Sequence, residues 1–267
     1  MRYFFHIAYV GTNYNGWQKN GKTNSVQKVI EECLKQILKI NVNVNGCGRT
    51  DAKVSASQFF FHLDIDVVLD DVFFFRINKL LPTDISVFDI IKMDGLPHAR
   101  FDAIQRRYDY FIHNQKDPFL SPFSSFYLGL DLDFEKLKSA TALLLKYHDY
   151  RPFCTAPDKN EHTICHISEV KWLINKDENR IRFQISSNRF LGKMIRIIVG
   201  QLLKVGERKL AVNEFENYLI KLETPKILSP AHPQGLYLSK VTYPYLDLKP
   251  KTSFFNLNFE EEYWKEV

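Results

Sequence analysis

The residues of this chain best suited to chemistry lie in Gly46–Gln58, GCGRTDAKVSASQ, where two glycines, an arginine, a threonine and a single carboxylate fall together. Gly46 and Gly48 can take positive φ or let another chain approach closely. Arg49 and Asp51 are near enough to act on one ligand, and Thr50 can hydrogen-bond the loop. The plain alternative is a tight turn bearing a surface ion pair. Two further positions stand out. Tyr108 follows the basic pair Arg106–Arg107, and Arg196 interrupts an apolar helical pattern, where an unpaired buried charge would be costly. Tyr108 read by itself is equally a strand aromatic of the core.

Metal chemistry finds less support. Cys154, His162, Cys165 and His166 include plausible zinc donors, but Cys165 and His166 are adjacent on an expected strand and would face opposite ways. Asp64, Asp66, Asp70 and Asp71 could serve a two-metal nuclease, although a solvated strand end explains them as well. No metal and no cofactor is expected.

The elements that must position these residues follow from periodicity. Residues 2–10, RYFFHIAYV, read as a strand and GTNYNGWQ as a turn-rich loop. Asn24 or Ser25 can cap a helix to about Leu38 with an apolar stripe of Val26, Ile30, Cys33, Leu34, Ile37 and Leu38. The alternating runs Ile40–Val44 and Phe59–Ile65 read as strands on either side of the glycine-rich loop. VFFFRINKLL then reads as a short buried helix stopped by Pro82, and ISVFDIIKMD as a strand. The order βαββαβ is that of a ferredoxin-like unit.

Past a polar joint at Asp94–His98, a similar order recurs. It comprises a strand at Arg107–His113, a loop at 115–131, a helix from Phe134, strands at 159–175 and 179–187, helices at 190–206 and 210–222, and a strand at 235–243. The expected division is 1–97, 98–245 and a tail 246–267, whose end FEEEYWKEV packs as a short helix or stays mobile.

At 267 residues the chain can bury a substantial core in one or two domains. The net charge of +5 permits a polyanionic partner without requiring one, and the 14% aromatic content suits strand cores or base-stacking surfaces. The first residues lack a signal-peptide pattern, no run nears the ~20 apolar residues of a membrane span, and the four cysteines form no CxxC pair. A soluble cytoplasmic protein is expected.

AYVGTNYNGWQ, SVQKVIEECL, GCGRTDAKVSA, HARFDAIQRRYDYFI, FLGKMIRIIVG and QGLYLSKVTYP occur in one order over residues 3–245, and that order resembles the tRNA pseudouridine synthase A family. The resemblance implies an α+β pseudouridine synthase fold, with two ferredoxin-like halves whose antiparallel sheets flank a central cleft. It implies Asp51 as the catalytic aspartate and Arg49 as the arginine that extrudes the target nucleotide. It implies Tyr108 as the tyrosine that stacks on uracil, Arg196 as the basic partner of the aspartate, and Leu236 as a pocket-lining residue. Thr50, Lys53, Arg106 and Arg107 join Arg49 and Leu236 as expected substrate or RNA contacts. The implied partners are tRNA, at its anticodon arm, and a second copy in a homodimer, with no membrane. The family's loop usually reads GRTDAGVHA, so Lys53 stands for a glycine and Ser55 for a histidine. The alternatives weighed are an RNA-binding paralogue with weakened catalysis and a metal-dependent nuclease.

Overall fold

The computed structural model describes residues 1–252 and 264–267. The chain forms two compact units, one of residues 1–106 and 237–252, the other of 107–236 and 264–267.

The first unit begins with β1 (Arg2–Tyr9), α1 (Val26–Leu38), β2 (Asn45–Gly46), β3 (Ser55–Asp64), α2 (Asp71–Leu80) and β4 (Ile85–Met93). The strands lie in the order β4-β1-β3-β2, all antiparallel, which is the split βαβ arrangement expected. The Ser25 hydroxyl caps α1 by accepting the Lys28 N–H at 3.4 Å, and the helix ends where Lys39 turns left-handed, at φ 61°. Asp70 caps α2 by accepting the Phe73 N–H at 2.8 Å. On β1, Phe5 stacks on Phe61 at 4.7 Å and meets Phe73 of α2 edge-on, so this face is covered by helix. The opposite face carries Phe4 and His6, with Phe60 and Tyr243 against them.

Two expectations here are corrected. Ile40–Val44 is not a strand; only the two residues of β2 pair with β3, which itself starts at Ser55 rather than Phe59. The backbone groups of Val44 are taken by α1 side chains, its N–H by Glu31 at 3.2 Å and its carbonyl by the Gln27 amide at 3.1 Å. Helical side chains thus replace the missing ladder. Nor is α2 buried all round, because only Phe73 and Ile77 are buried while Val72 and Phe75 are 63% and 65% exposed.

The second unit continues with β5 (Gln105–His113), β6 (Ser125–Phe126), α3 (Phe134–Lys146), β7 (Ile167–Asn175), β8 (Arg180–Ser187), α4 (Met194–Gly206) and α5 (Val212–Lys221). The final elements are β9 (Leu236–Thr242) and β10 (Trp264–Glu266). Its sheet runs β10-β7-β8-β5, with β6 parallel to β5. The indole of Trp172 on β7 donates to Thr141 of α3 at 2.9 Å, fixing that helix to the sheet. The strand expected at 159–175 begins only at Ile167, because the preceding segment bonds elsewhere: Tyr150 N–H to Thr163 O, and Cys165 N–H to His148 O. The helix expected from Phe190 starts at Met194, after Lys193 in the left-handed region. From Tyr237 onward, β9 belongs to the first unit, where Tyr237 and Leu238 pair in parallel with Ser55 and Ala56. The tail expectation falls mostly on 253–263, outside the described residues, while 264–266 is strand rather than helix. Among the described residues no helix is long and apolar enough to cross a membrane, and no group of three or more His, Cys, Asp or Glu could hold a metal ion.

The first unit holds two histidines that stay neutral inside it. Burial lowers the pKa of His6 despite its 2.8 Å contact with Asp89, and burial beside Arg2 lowers that of His62 to about 4. Unfolding therefore takes up protons between the ordinary value of 6.5 and these depressed values. Stability is fully present above pH 6.5 and is lost as pH falls through this window, by up to about 1.4 kcal/mol per pH unit for each histidine. Urea unfolding should give nearly the same midpoint at pH 7.5 and 6.5 and a clearly lower one at pH 5.5. A flat or rising series would mean that these imidazoles charge without penalty in the fold.

Candidate active site

The glycine-rich loop leaves β2 and enters β3 under constraint at several points. At its start the Cys47 N–H donates to Phe60 O at 2.7 Å. The Cys47 carbonyl accepts from the Arg106 guanidinium at 2.9 Å, and Arg106 also donates to the carbonyls of Ala103 and Arg100. Burial pushes the Cys47 thiol up to about 11, so it remains a neutral thiol and not a nucleophile near neutral pH. At its end the loop closes in a turn in which Val54 N–H donates to Asp51 O at 3.2 Å and Lys53 takes φ 64°. The Lys53 N–H donates to Tyr14 O at 3.0 Å. Ser55, fully buried, accepts the Gly11 N–H at 2.9 Å and is bonded to the Tyr237 hydroxyl.

The middle of the loop is gripped by residues 9–17. Thr50 shares a 2.8 Å hydroxyl–hydroxyl bond with Tyr9, and its carbonyl accepts from Trp17 N–H at 3.3 Å. A Cβ at Gly16 would lie 2.3 Å from Thr50 O, and one at Gly11 would lie 2.1 Å from Val54 O. A Cβ at Gly46 would strike the Trp17 indole at 2.5 Å. The 9–17 segment is anchored in turn on Asp84, whose carboxylate accepts from Tyr14 and Asn13 and whose carbonyl accepts from Val10 N–H. Between these supports Asp51 is half-buried, while Arg49 and Lys53 on either side are exposed. The result is a carboxylate on a held backbone, flanked by two solvent-facing cations.

The loop's left-handed residue is a lysine. Neither Gly46 nor Gly48 has positive φ; Gly46 is needed for close approach to Trp17, and Gly48 has nothing within 4 Å of its Cβ position.

The remaining expected residues lie in the second unit, apart from Arg106, which donates to main-chain carbonyls of the first. Arg107 on β5 donates to Ser186 at 3.2 Å and forms an ion pair with Glu169 at 2.9 Å. Burial acts to raise the Glu169 pKa, but Lys171 and Arg107 outweigh it and hold the carboxyl below its usual range. Tyr108 is buried and meets Phe190 edge-on at 5.2 Å. Arg196 projects from α4, with its Nε donating to Ala231 O at 2.7 Å while Ala231 N–H donates to Arg196 O at 2.8 Å. Gly200, Gln201 and Lys204 share this face of α4. A Cβ at Gly200 would lie 2.1 Å from Ser229 O, and the Gln201 and Lys204 side chains donate to the carbonyls of 227 and 228. Leu236, buried at the start of β9, follows a segment fixed by the Tyr110 hydroxyl on His232 O at 2.9 Å.

Sequence reasoning left Tyr9, Gly11, Gly16 and Trp17 without a role. Their signal was present as a glycine-punctuated aromatic loop, but nothing local tells which distant backbone such a loop will meet.

A family model described as tRNA pseudouridine synthase matches residues 140–244. The tRNA pseudouridine synthase A of Porphyromonas gingivalis is 37% identical over 256 residues, covering 91% of this chain and 97% of that protein. That of Bacteroides thetaiotaomicron is 39% identical over 246 residues, 91% of each chain. That of Acetivibrio thermocellus is 31% identical, covering 89% of this chain and 97% of its own.

The two glycines facing opposite circumstances near Asp51 offer a test. Gly16 has φ 87° and no room for a methyl group, whereas Gly48 has neither restriction. Gly16→Ala should destabilise the fold by about 2 kcal/mol or more, from left-handed strain and overpacking together. Gly48→Ala should stay within about 0.5 kcal/mol of the parent. Urea denaturation measures both, and equal effects would mean that the close approach at Gly16 is not a constraint.

Proposed function

The chain belongs to the tRNA pseudouridine synthase A family, and from that membership we infer that it isomerises uridines of tRNA to pseudouridine. The observation that carries the site reading is the half-buried Asp51 on a loop held from both sides, with exposed cations at Arg49 and Lys53. The reaction breaks the bond from C1′ to N1 of the base and makes one from C1′ to C5. N1 gains a proton and C5 loses one. Atoms and electrons balance without a cofactor or a redox partner.

In this reading Asp51 is the catalytic carboxylate, acting as nucleophile or base. The target base must leave its stack, at a cost of a few kcal/mol, and Arg49 takes the vacated place with a planar guanidinium. Tyr108 supplies a stacking face, which typically contributes about 1–3 kcal/mol per base, once its contact with Phe190 opens toward the substrate. Arg196 supplies the basic group that supports the carboxylate, and Leu236 an apolar wall. Thr50 and Arg106 serve by holding the loop. Arg107, already paired with Glu169, contributes to the basic surface. The protein is read as a cytoplasmic homodimer acting on the anticodon arm. The described cysteines, all free and buried, suit a reducing compartment. No observation favours the weakened RNA-binding paralogue or the nuclease.

Asp51→Asn tests the central assignment. It should abolish product while leaving tRNA affinity within about threefold, since an amide keeps the shape but loses the charge. Tritium release from C5-labelled uridine reads turnover, and substantial residual release would remove Asp51 from the chemistry.

Lys53 provides a second test. Its ammonium is read as contacting a phosphate beside the target nucleotide, which is why a lysine is kept where the backbone favours glycine. Lys53→Gly should weaken tRNA binding and flatten the dependence of log affinity on log salt by somewhat less than one unit of slope. The modified uridine should be unchanged. Parallel salt plots for the two proteins would show that Lys53 touches no phosphate.

A further inference from the structure

We propose that Tyr9 is a positioning residue for the isomerisation, acting through its hydroxyl on Thr50 and thereby on the neighbouring Asp51. The proposal rests on the functional reading above and concerns a residue with no assigned role in it.

Three observations support it. The first is register. β1 and β3 pair Ile7 with Phe59 but Tyr9 with Ala56, so β3 carries one extra residue at this point. A bulge of this kind turns the strand locally and re-aims the side chains beside it. Tyr9, which lies opposite this bulge, is the last residue of β1 and the first of the segment that grips the loop.

The second is the cost of the hydroxyl. Tyr9 is 3% exposed, with Phe59 edge-on at 5.6 Å and Trp17 at 6.3 Å. Phenylalanine would fill the same space without a polar atom. A buried hydroxyl is tolerated when it is bonded, and Tyr9 bonds the Thr50 hydroxyl at 2.8 Å.

The third is what the bond restrains. Thr50 is β-branched, so fixing its hydroxyl fixes χ1. Its carbonyl is separately held by Trp17 N–H and pressed by Gly16. Side chain and main chain of Thr50 are thus restrained together, and the next peptide carries Asp51. Without the Tyr9 hydroxyl, the Thr50 side chain is freed while the carbonyl contact remains. The carboxylate then samples a wider arc. Misplacements of that scale weaken a reacting group far more than they weaken binding.

The test uses the full-length protein and tRNA. Tyr9→Phe should lower the single-turnover rate constant about ten- to a hundredfold while leaving tRNA Kd within about twofold. Thr50→Val should produce a similar loss, and the double variant should be no slower than the slower single one, because both remove one bond. Urea unfolding confirms that each variant is folded at the assay temperature. An unchanged rate in Tyr9→Phe would overturn the proposal. So would a loss matched by weaker binding or by unfolded protein, or losses that multiply in the double variant. An inactive wild type in the same assay would overturn the functional reading and this role with it. An active wild type equalled by Tyr9→Phe would overturn the role alone.

Discussion

The close approach of two loop backbones is the constraint on which the first unit's site depends. Residues 11–17 lie against residues 50–54 so tightly that Gly11 and Gly16 could not carry a Cβ without meeting a carbonyl oxygen. Hydrogen bonds then run between the two segments: Gly11 N–H to Ser55, Trp17 N–H to Thr50 O, and Lys53 N–H to Tyr14 O. Each is modest alone, at about 1 kcal/mol net. Together they convert a surface loop, by default among the more mobile parts of a fold, into an extension of the sheet that supports it.

That support explains how the loop tolerates a lysine at φ 64°. The left-handed region costs an ordinary residue about 1–2 kcal/mol, and such strain persists where the surroundings over-determine the backbone. Here the Lys53 N–H is bonded, the residue before the turn is fixed through its carbonyl, and Ser55 is buried two residues later. Ser55 itself faces inward to Gly11 and Tyr237, so the position where the family usually has a histidine serves packing in this chain. The extra cation is presented outward by the neighbouring position instead.

Much of this was legible in the sequence, for identifiable reasons. The cap at Ser25, the apolar stripe of α1 and the apolar runs of β1 and β4 are local signals, and local physics decides them. The Ile40–Val44 run misled because alternation also arises where just one residue, Val44, is buried and the backbone is satisfied by Glu31 and Gln27. The roles of Tyr9, Gly11 and Gly16 were not legible because they depend on a contact some 40 residues away in sequence. A glycine announces that a backbone is permissive; only the fold says what comes near it.

The second unit reaches the same end by a different route. Nearly all of α4 is buried, and the exceptions are Arg196 and Lys204, two turns apart on one face. Gly200 and Gln201 complete that face, and segment 227–231 lies along it: Arg196 and Gln201 hold its carbonyls, and Gly200 gives the backbone room. The reciprocal bonds between Arg196 and Ala231 restrain the guanidinium at its Nε while the helix restrains its root. A charged side chain on a buried helix is ordinarily a liability. The main chain of a neighbouring segment is one partner that holds this charge in place. In both units a glycine opens the space, and main-chain hydrogen bonds then fix the residue that carries the charge.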